Sequence, residues 1–512
     1  MGKGKSRLRR DALALAPLGL LLAPTTARAM DPELTTDTTA QFYDVRSPSG
    51  ETVLARRRLT TTLGVGVYDL LEQPRPDGPQ LLFRARMRYD ADYGASGAET
   101  QVTNFGRVVP GYDRNAVDLM YGYVEGRRFL KGWLGFKLGR QYVTDALGWW
   151  SFDGGSVRVT TPYWVAGEVY VGLEQRGGMP LSQPRFERDG IWRGNRDGYD
   201  PALALAFQAN QIAPALGVAA ETAGIPWFHG RVTYRHVSNT GPSYVSVFNN
   251  ALYTGTQYDA PRISQERVGA SFDGTLPNHG GVKGGLSYDL YMTRLATLYT
   301  SVDAFLTKKL TASLDYDFYQ PSYDADSIWN FFQAAPMNDI GLRGSYDATD
   351  KLSIAGGTHL RIFANQTEAD LNAAGRPDAS PNLSKTTDAN YYDPAKSFNG
   401  GGDASARYRW GEGLAGVRAS GNLGKEGDRV GFDAYGERIL AVRYVVNGRA
   451  GLWHWNDKAR ADRAALGANY MLGAGYVLAP KSRLLVEFDH NINRISGNRF
   501  RLMLWLTVAV SK

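Results

Sequence analysis

From residue 82 the chain reads Leu82-Phe83-Arg84-Ala85-Arg86-Met87-Arg88-Tyr89-Asp90-Ala91-Asp92-Tyr93. Phe83, Ala85, Met87, Tyr89, Ala91 and Tyr93 alternate without a break against Arg84, Arg86, Arg88, Asp90 and Asp92. A strand sends successive side chains to opposite faces, so one face of this segment is apolar and the other charged. In a soluble sheet the apolar face meets a core and the charged face bulk water. In an outer-membrane barrel the apolar face meets lipid and the charged face a wet lumen. The rest of the chain has to say which solvent lies on each side.

The N-terminal residues begin to say it. Lys3, Lys5, Arg7, Arg9 and Arg10 precede an apolar run from Ala12 to Pro24, followed by Ala27-Arg28-Ala29. That order is a secretory signal peptide, with cleavage expected after Ala29. Residues 1–29 are read as the signal and 30–40 as a loose leader. The apolar run, about 13 residues, is too short to span a bilayer as a helix, and no later stretch reaches the roughly 18 residues required. The formal net charge of +7 includes six basic residues and one acid within the signal, so the mature chain is near +2. A nucleic-acid partner loses its support at that balance. Zero cysteines excludes a disulfide framework and any Cys-ligated metal. With 59 Gly, 29 Tyr, 20 Phe and 11 Trp but a mean hydropathy of −0.34, the composition suits strands that are apolar on one face only.

The alternation recurs along the chain. Val282, Gly284, Leu286, Tyr288, Leu290 and Met292 face one way, with Lys283, Gly285, Ser287, Asp289, Tyr291 and Thr293 opposite. Segments 296–306 and 310–318 follow around Lys308-Lys309, and a turn that tight joins antiparallel neighbours. Further apolar faces lie at 117–123, 134–138, 165–173, 340–346, 352–362, 440–446, 466–476 and 484–488. A last strand puts Phe500, Leu502, Leu504, Leu506, Val508 and Val510 outward and Arg501 inward. The expectation is an all-β fold: a transmembrane antiparallel β-barrel over 41–512, with about 18 strands (range about 16–20) and no helical domain. Long polar or Gly/Pro-rich links at 94–113, 176–200, 238–261, 321–338 and 364–401 all follow even-numbered strands counted from Leu54. Long loops face outside, so one strand is missing before Leu54, and Gln41–Arg46 is its best candidate.

Inward charges sort by strand. Arg84, Arg86, Arg88, Arg343, Arg361, Arg407, Arg409, Arg418, Arg443 and Arg501 sit opposite apolar neighbours near the two ends of the chain, which a closed barrel brings together. Glu168, Asp273, Asp289, Asp303, Asp315 and Asp317 gather in the middle. A basic wall facing an acidic wall is expected, a field that orients charged solutes and favours anions beside the arginines. The competing reading is that Arg and Asp pair across strands to stiffen a wet interior. Three like charges on one face repel unless something anionic lies near, which singles out Arg84, Arg86 and Arg88.

Catalysis and cofactors find little here. None of the six histidines, His229, His236, His279, His359, His454 and His490, stands in a metal-ligand spacing, and no G-x-S-x-G elbow occurs. His359 and His490 are expected as ordinary lumenal residues. No catalytic residue, metal or cofactor is expected, and Asn195–Asp200 is a weak calcium-loop pattern. Loops 364–401 and 176–200 are long enough to fold into the lumen as a constriction.

The segment Phe136-Lys137-Leu138-Gly139-Arg140-Gln141, followed by Trp149-Trp150-Ser151-Phe152-Asp153, resembles a pattern met in porins, including the alginate-export type. The wider resemblance is to polysaccharide-secretion porins of the outer membrane. It implies a bacterial outer-membrane conduit, surrounded by lipid, that passes a hydrophilic, anionic polysaccharide, with any periplasmic export protein a separate partner. A diffusion porin for small hydrophilic solutes, general or anion-preferring, is the alternative. A structural barrel presenting adhesive surface loops is the third.

Overall fold

The computed structural model describes residues 30–46, 49–71, 78–92, 115–175, 213–239, 243–244, 257–258, 262–323, 336–363, 398–424, 427–457, 464–494 and 497–511. Nearly all of them are strand. The first nine are β1 (Asp31–Arg46), β2 (Thr52–Tyr68), β3 (Gln80–Asp92), β4 (Asn115–Phe129), β5 (Leu134–Asp145), β6 (Gly148–Thr160), β7 (Val165–Glu174), β8 (Pro214–Thr222) and β9 (Phe228–Asn239). A two-residue ladder, β10 (Ser243–Tyr244) with β11 (Gln257–Tyr258), stands apart. Then come β12 (Arg262–Leu276), β13 (Gly280–Asp289), β14 (Arg294–Phe305), β15 (Leu310–Tyr319), β16 (Met337–Asp347), β17 (Leu352–Phe363), β18 (Phe398–Trp410) and β19 (Gly413–Gly424). The last are β20 (Gly427–Leu440), β21 (Tyr444–Asp457), β22 (Ala464–Ala479), β23 (Ser482–Asn493) and β24 (Gly497–Ser511).

Each wall strand pairs antiparallel with its chain neighbours, β9 pairs with β12, and β1 pairs with β24 from Glu33↔Ser511 to Val45↔Arg499. The result is one closed sheet of 22 strands. Closure leaves no edge, so backbone groups at bilayer depth are bonded within the wall. The expected count of about 18 is therefore too low. The strands that hide are those whose alternation is blurred by small residues, such as β18 with Gly400-Gly401-Gly402 and β8 with Ala215, Gly217 and Ala219. The strand expected before Leu54 is present and longer than foreseen. Residues 31–40 open β1 rather than forming a leader, because the run Thr35-Thr36-Asp37-Thr38-Thr39 pairs well but shows no hydropathy contrast.

The outer face is apolar and the exposed aromatics gather at its margins. Trp133, Tyr163, Trp164, Trp227, Tyr346, Tyr408 and Tyr444 lie beside the short links of one rim, Phe42 and Phe398 near the other. Lipid-facing aliphatics between two aromatic girdles are the signature of a membrane-spanning barrel. Among the described residues no helix is long and apolar enough to cross a membrane. The five long links foreseen in the sequence all join strands at one rim, while the links of the other rim are short, which places the first rim outside. The expected strand at 440–446 is instead a turn: Leu440 ends β20, Ala441 and Val442 take positive φ, and Tyr444 begins β21.

Candidate functional site: a hairpin folded into a charged lumen

Lumen-facing residues follow from the alternation, and most of the charged ones are tied to a neighbour. Arg84 donates to Tyr68 Oη at 2.7 Å, and Tyr68 donates to Glu33 Oε2 at 2.7 Å. Arg86 reaches Asp37 at 2.6 Å and Thr62 at 2.8 Å. Arg88 stands opposite Asp118 in the ladder. The like charges of β3 are thus balanced by residues of β1, β2 and β4. Arg343 pairs with Asp315 (2.7 Å), Arg361 with Asp339 (2.7 Å), Arg418 with Asp403 (3.4 Å) and Arg501 with Asp489 (2.9 Å). Arg407 and Arg409 point inward with no ion pair among the described residues. Arg443 is not in the lumenal wall: it occupies the β20–β21 turn and donates to Tyr476 Oη at 3.2 Å, because the segment read as strand is a turn.

The acids of the middle strands are likewise interleaved with arginines. Glu168 and Glu221 flank Arg231 at 2.7 and 2.6 Å, Asp289 meets Arg267 at 3.2 Å, and Asp273 meets His229 at 3.3 Å. Asp303 and Asp317 face inward on the neighbouring strands β14 and β15. Arg158, Arg231, Arg235, Arg267 and Arg294 put positive charge into the wall expected to be acidic. His359 faces the lumen, but His490 does not: it stacks on Phe500 at 4.3 Å and contacts Tyr470 on the outer face, sharing the parity of Phe488.

Among the described residues the wall itself folds into the lumen at the β5–β6 hairpin. The ladder between β4 and β5 stops at Gly122↔Arg140, whereas β5 and β6 stay paired to Asp145↔Gly148. Three inward-facing glycines lie in one row across adjacent strands, Gly139↔Gly154↔Gly172. Gly139 has φ 126°, and a Cβ on Gly154 would stand 2.2 Å from Val171 O, so only glycine lets the backbones approach this closely. Beyond that row the hairpin tip turns inward, and Ala146 and Leu147 come to rest on Gly269 of β12. A Cβ at Gly269 would be 3.0 Å from Ala146 Cβ.

Two sets of contacts hold the tip. Trp150, Phe152 and Tyr170 pack together, with ring centroids 4.7, 5.5 and 5.6 Å apart, against Val143, Ala213, Ala215 and Val237. Each aromatic pair contributes about 0.5–1.5 kcal/mol beyond area burial. Asp145, fully buried, accepts from Arg235 at 3.2 Å, from Thr233 at 3.0 Å and from the Leu147 backbone N–H at 2.9 Å. The Arg235 guanidinium also lies 4.9 Å over the Trp150 ring. A buried carboxylate is tolerated only with such full satisfaction.

Arg140 sits where β5 leaves β4. It forks onto Asp153 at 2.7 and 2.8 Å and donates to Leu119 O at 2.9 Å. The sequence drew attention to this region only through a resemblance. A sharper signal was present: Gly139 and Gly154 are equidistant from the tip at Ala146-Leu147. The loops expected as constrictions, 176–200 and 364–401, and the Asn195–Asp200 pattern lie outside the described residues, except that residues 398–401 open β18 rather than ending a loop.

A closed barrel with a lipid-facing apolar belt, two aromatic girdles and a polar lumen defines a transmembrane β-barrel of the bacterial outer membrane. No protein-family profile matches the chain, and no curated protein matches it in sequence. Among solved structures it is similar to Acinetobacter baumannii OccAB4, with a TM-score of 0.43 and 6% identity over 95% of this chain and 100% of the other. It is also similar to Pseudomonas aeruginosa OccK1 (OpdK), with a TM-score of 0.40 and 10% identity over 94% and 99%. Pseudomonas aeruginosa OccD3 (OpdP) gives 0.40 and 9% over 94% and 92%. At that distance neither solute nor residue roles transfer. The alginate-export resemblance gains nothing from these likenesses, and 22 strands depart from the expected barrel of about 18.

Proposed function

We propose that the chain is a passive channel for small hydrophilic solutes across the outer membrane, with the β5–β6 hairpin as its constriction. The observation that carries this reading is the hairpin itself: a segment of wall folded inward and fastened to β9 and β12 by the Asp145–Arg235 pair and the contact of Ala146 and Leu147 with Gly269. A device of that kind narrows the passage, which favours small solutes over a polymer as cargo. The ladders of paired charge supply a wet lining through which solutes exchange hydration for side-chain contacts at little cost.

Anion preference has a narrower support. Most lumenal arginines named above are balanced by acids, whereas Arg407 and Arg409 have no ion pair among the described residues and leave net positive field beside β18. Purified protein in a planar bilayer is expected to give stepwise, ohmic currents, with a reversal potential in a KCl gradient displaced toward chloride. Absence of steps refutes the channel, and a reversal potential displaced toward potassium refutes the anion preference alone.

A further inference from the structure

The wall formed by β18–β21 changes character toward the outer mouth. Ion pairs give way to amides and indoles: Asn399, Asn422, Asn456 and Trp455 surround a cavity of about 370 Å³ together with Asp428 and Arg429. The charges there are already engaged. Arg429 lies over the Trp453 ring at 4.4 Å, and Asp428 accepts from the Gly424 backbone N–H at 3.3 Å. Asn399 Oδ1, by contrast, is buried with no hydrogen-bond partner among the described residues.

Deeper along the same four strands lies a second cavity of about 640 Å³. Two of its arginines are spent on acids, Arg418 on Asp403 at 3.4 Å and Arg449 on Asp433 at 2.7 Å. Asn447, in the same cavity, gives its Nδ2 to Glu487 at 3.2 Å and again leaves Oδ1 buried without a partner. An orphaned buried acceptor costs about 1–3 kcal/mol, so two of them on one track are a standing demand for donors.

We propose that the mouth of this wall is a binding subsite for a neutral pyranose sugar, with Trp455 as the stacking platform and Asn399 and Asn422 as its hydrogen-bonding partners. The chemistry fits on three counts. Hydroxyls both donate and accept, and an Asn amide offers both functions. The C–H face of a pyranose is apolar and flat enough to lie on an indole, as amphipathic ligands do on aromatic side chains. The two charged residues of the lining, Asp428 and Arg429, are opposite in sign, so the site carries no net charge that would select an ion. From the mouth, the Asn447 cavity is the next station inward. This inference rests on the channel reading for its passage but not for its binding.

Maltotriose serves as the probe. In single-channel recordings it is expected to interrupt the current reversibly. Trp455→Ala is expected to raise the half-blocking concentration about tenfold, the change that about 1.4 kcal/mol corresponds to, with Trp455→Phe closer to wild type. The same sugar titrated onto the detergent-solubilised barrel should quench tryptophan fluorescence in the wild type and not in Trp455→Phe. A barrel that conducts but neither binds nor is interrupted by maltotriose, glucose or galactose overturns the subsite. So does a Trp455→Ala channel blocked like the wild type. A barrel that binds sugar in detergent yet carries no current overturns the channel reading and upholds the subsite.

Discussion

Replacing Asp145 by alanine should release the hairpin. In the wild type the carboxylate and the Arg235 side chain are 0% and 1% exposed, so the substitution strands a cation where water does not reach. Breaking a buried pair from one side costs about 3–5 kcal/mol. The aromatic contacts between Trp150, Phe152 and Tyr170 that remain to hold the tip amount to about 1.5–4.5 kcal/mol together. The two quantities are comparable, so the docked form loses its margin and the docked-to-undocked ratio falls by roughly a hundredfold or more. Undocking hydrates Arg235 and widens the passage, while the ladder of 22 strands is untouched. The assay is single-channel conductance, expected to rise with added low-frequency noise, alongside unchanged heat-modifiable migration in gels as a check on the barrel. Asp145→Ala with Arg235→Met removes both charges while methionine fills most of the space of the arginine, and it should bring conductance back toward wild type. Equal conductance in wild type and Asp145→Ala refutes the claim that this pair holds the constriction.

Three other outcomes follow from the same geometry. Ala146→Cys with Gly269→Cys places two thiols within disulfide reach in a chain with no other cysteine, given a shift of a few tenths of an ångström. Combined with Asp145→Ala, oxidation should restore the low conductance and dithiothreitol should abolish it. Gly217→Ala puts a Cβ 1.8 Å from the Tyr170 ring and should displace that ring at a cost of about 1–3 kcal/mol, read as a change in near-ultraviolet circular dichroism and a leakier channel. Arg407→Ser with Arg409→Ser should lower the chloride-to-potassium permeability ratio, whereas Arg361→Ser, which frees Asp339 as well, should push it further toward cations.

Strand alternation was legible wherever the two faces differed in polarity, as in β3, β14 and β24. It failed where glycine or threonine occupies both faces, which is how the Gly400–Gly402 end of β18 and the first half of β1 escaped notice. The side of the wall was legible for Arg84 to Arg88 and lost for His490, since a histidine stacked between aromatic neighbours looks no different in sequence from one in water. Pair partners were not legible: Arg235 and Asp145 are 90 residues apart, and nothing local announces that they meet. The inward fold depends on a row of glycines drawn from three strands, a pattern that exists only once the register is known.

The seam between β1 and β24 differs from every other junction in one respect. Successive strands meet after links of a few to a few tens of residues, but Glu33 meets Ser511 across almost the whole chain. Loop-closure entropy grows by about 0.6 kcal/mol per doubling, and the seam is roughly six doublings longer than a short turn, about 4 kcal/mol. The wall can therefore zip from hairpin to hairpin while its two terminal strands stay apart. An assembling barrel exposes two unpaired edges until that last ladder forms, so whatever shelters those edges in the cell governs how fast the channel matures.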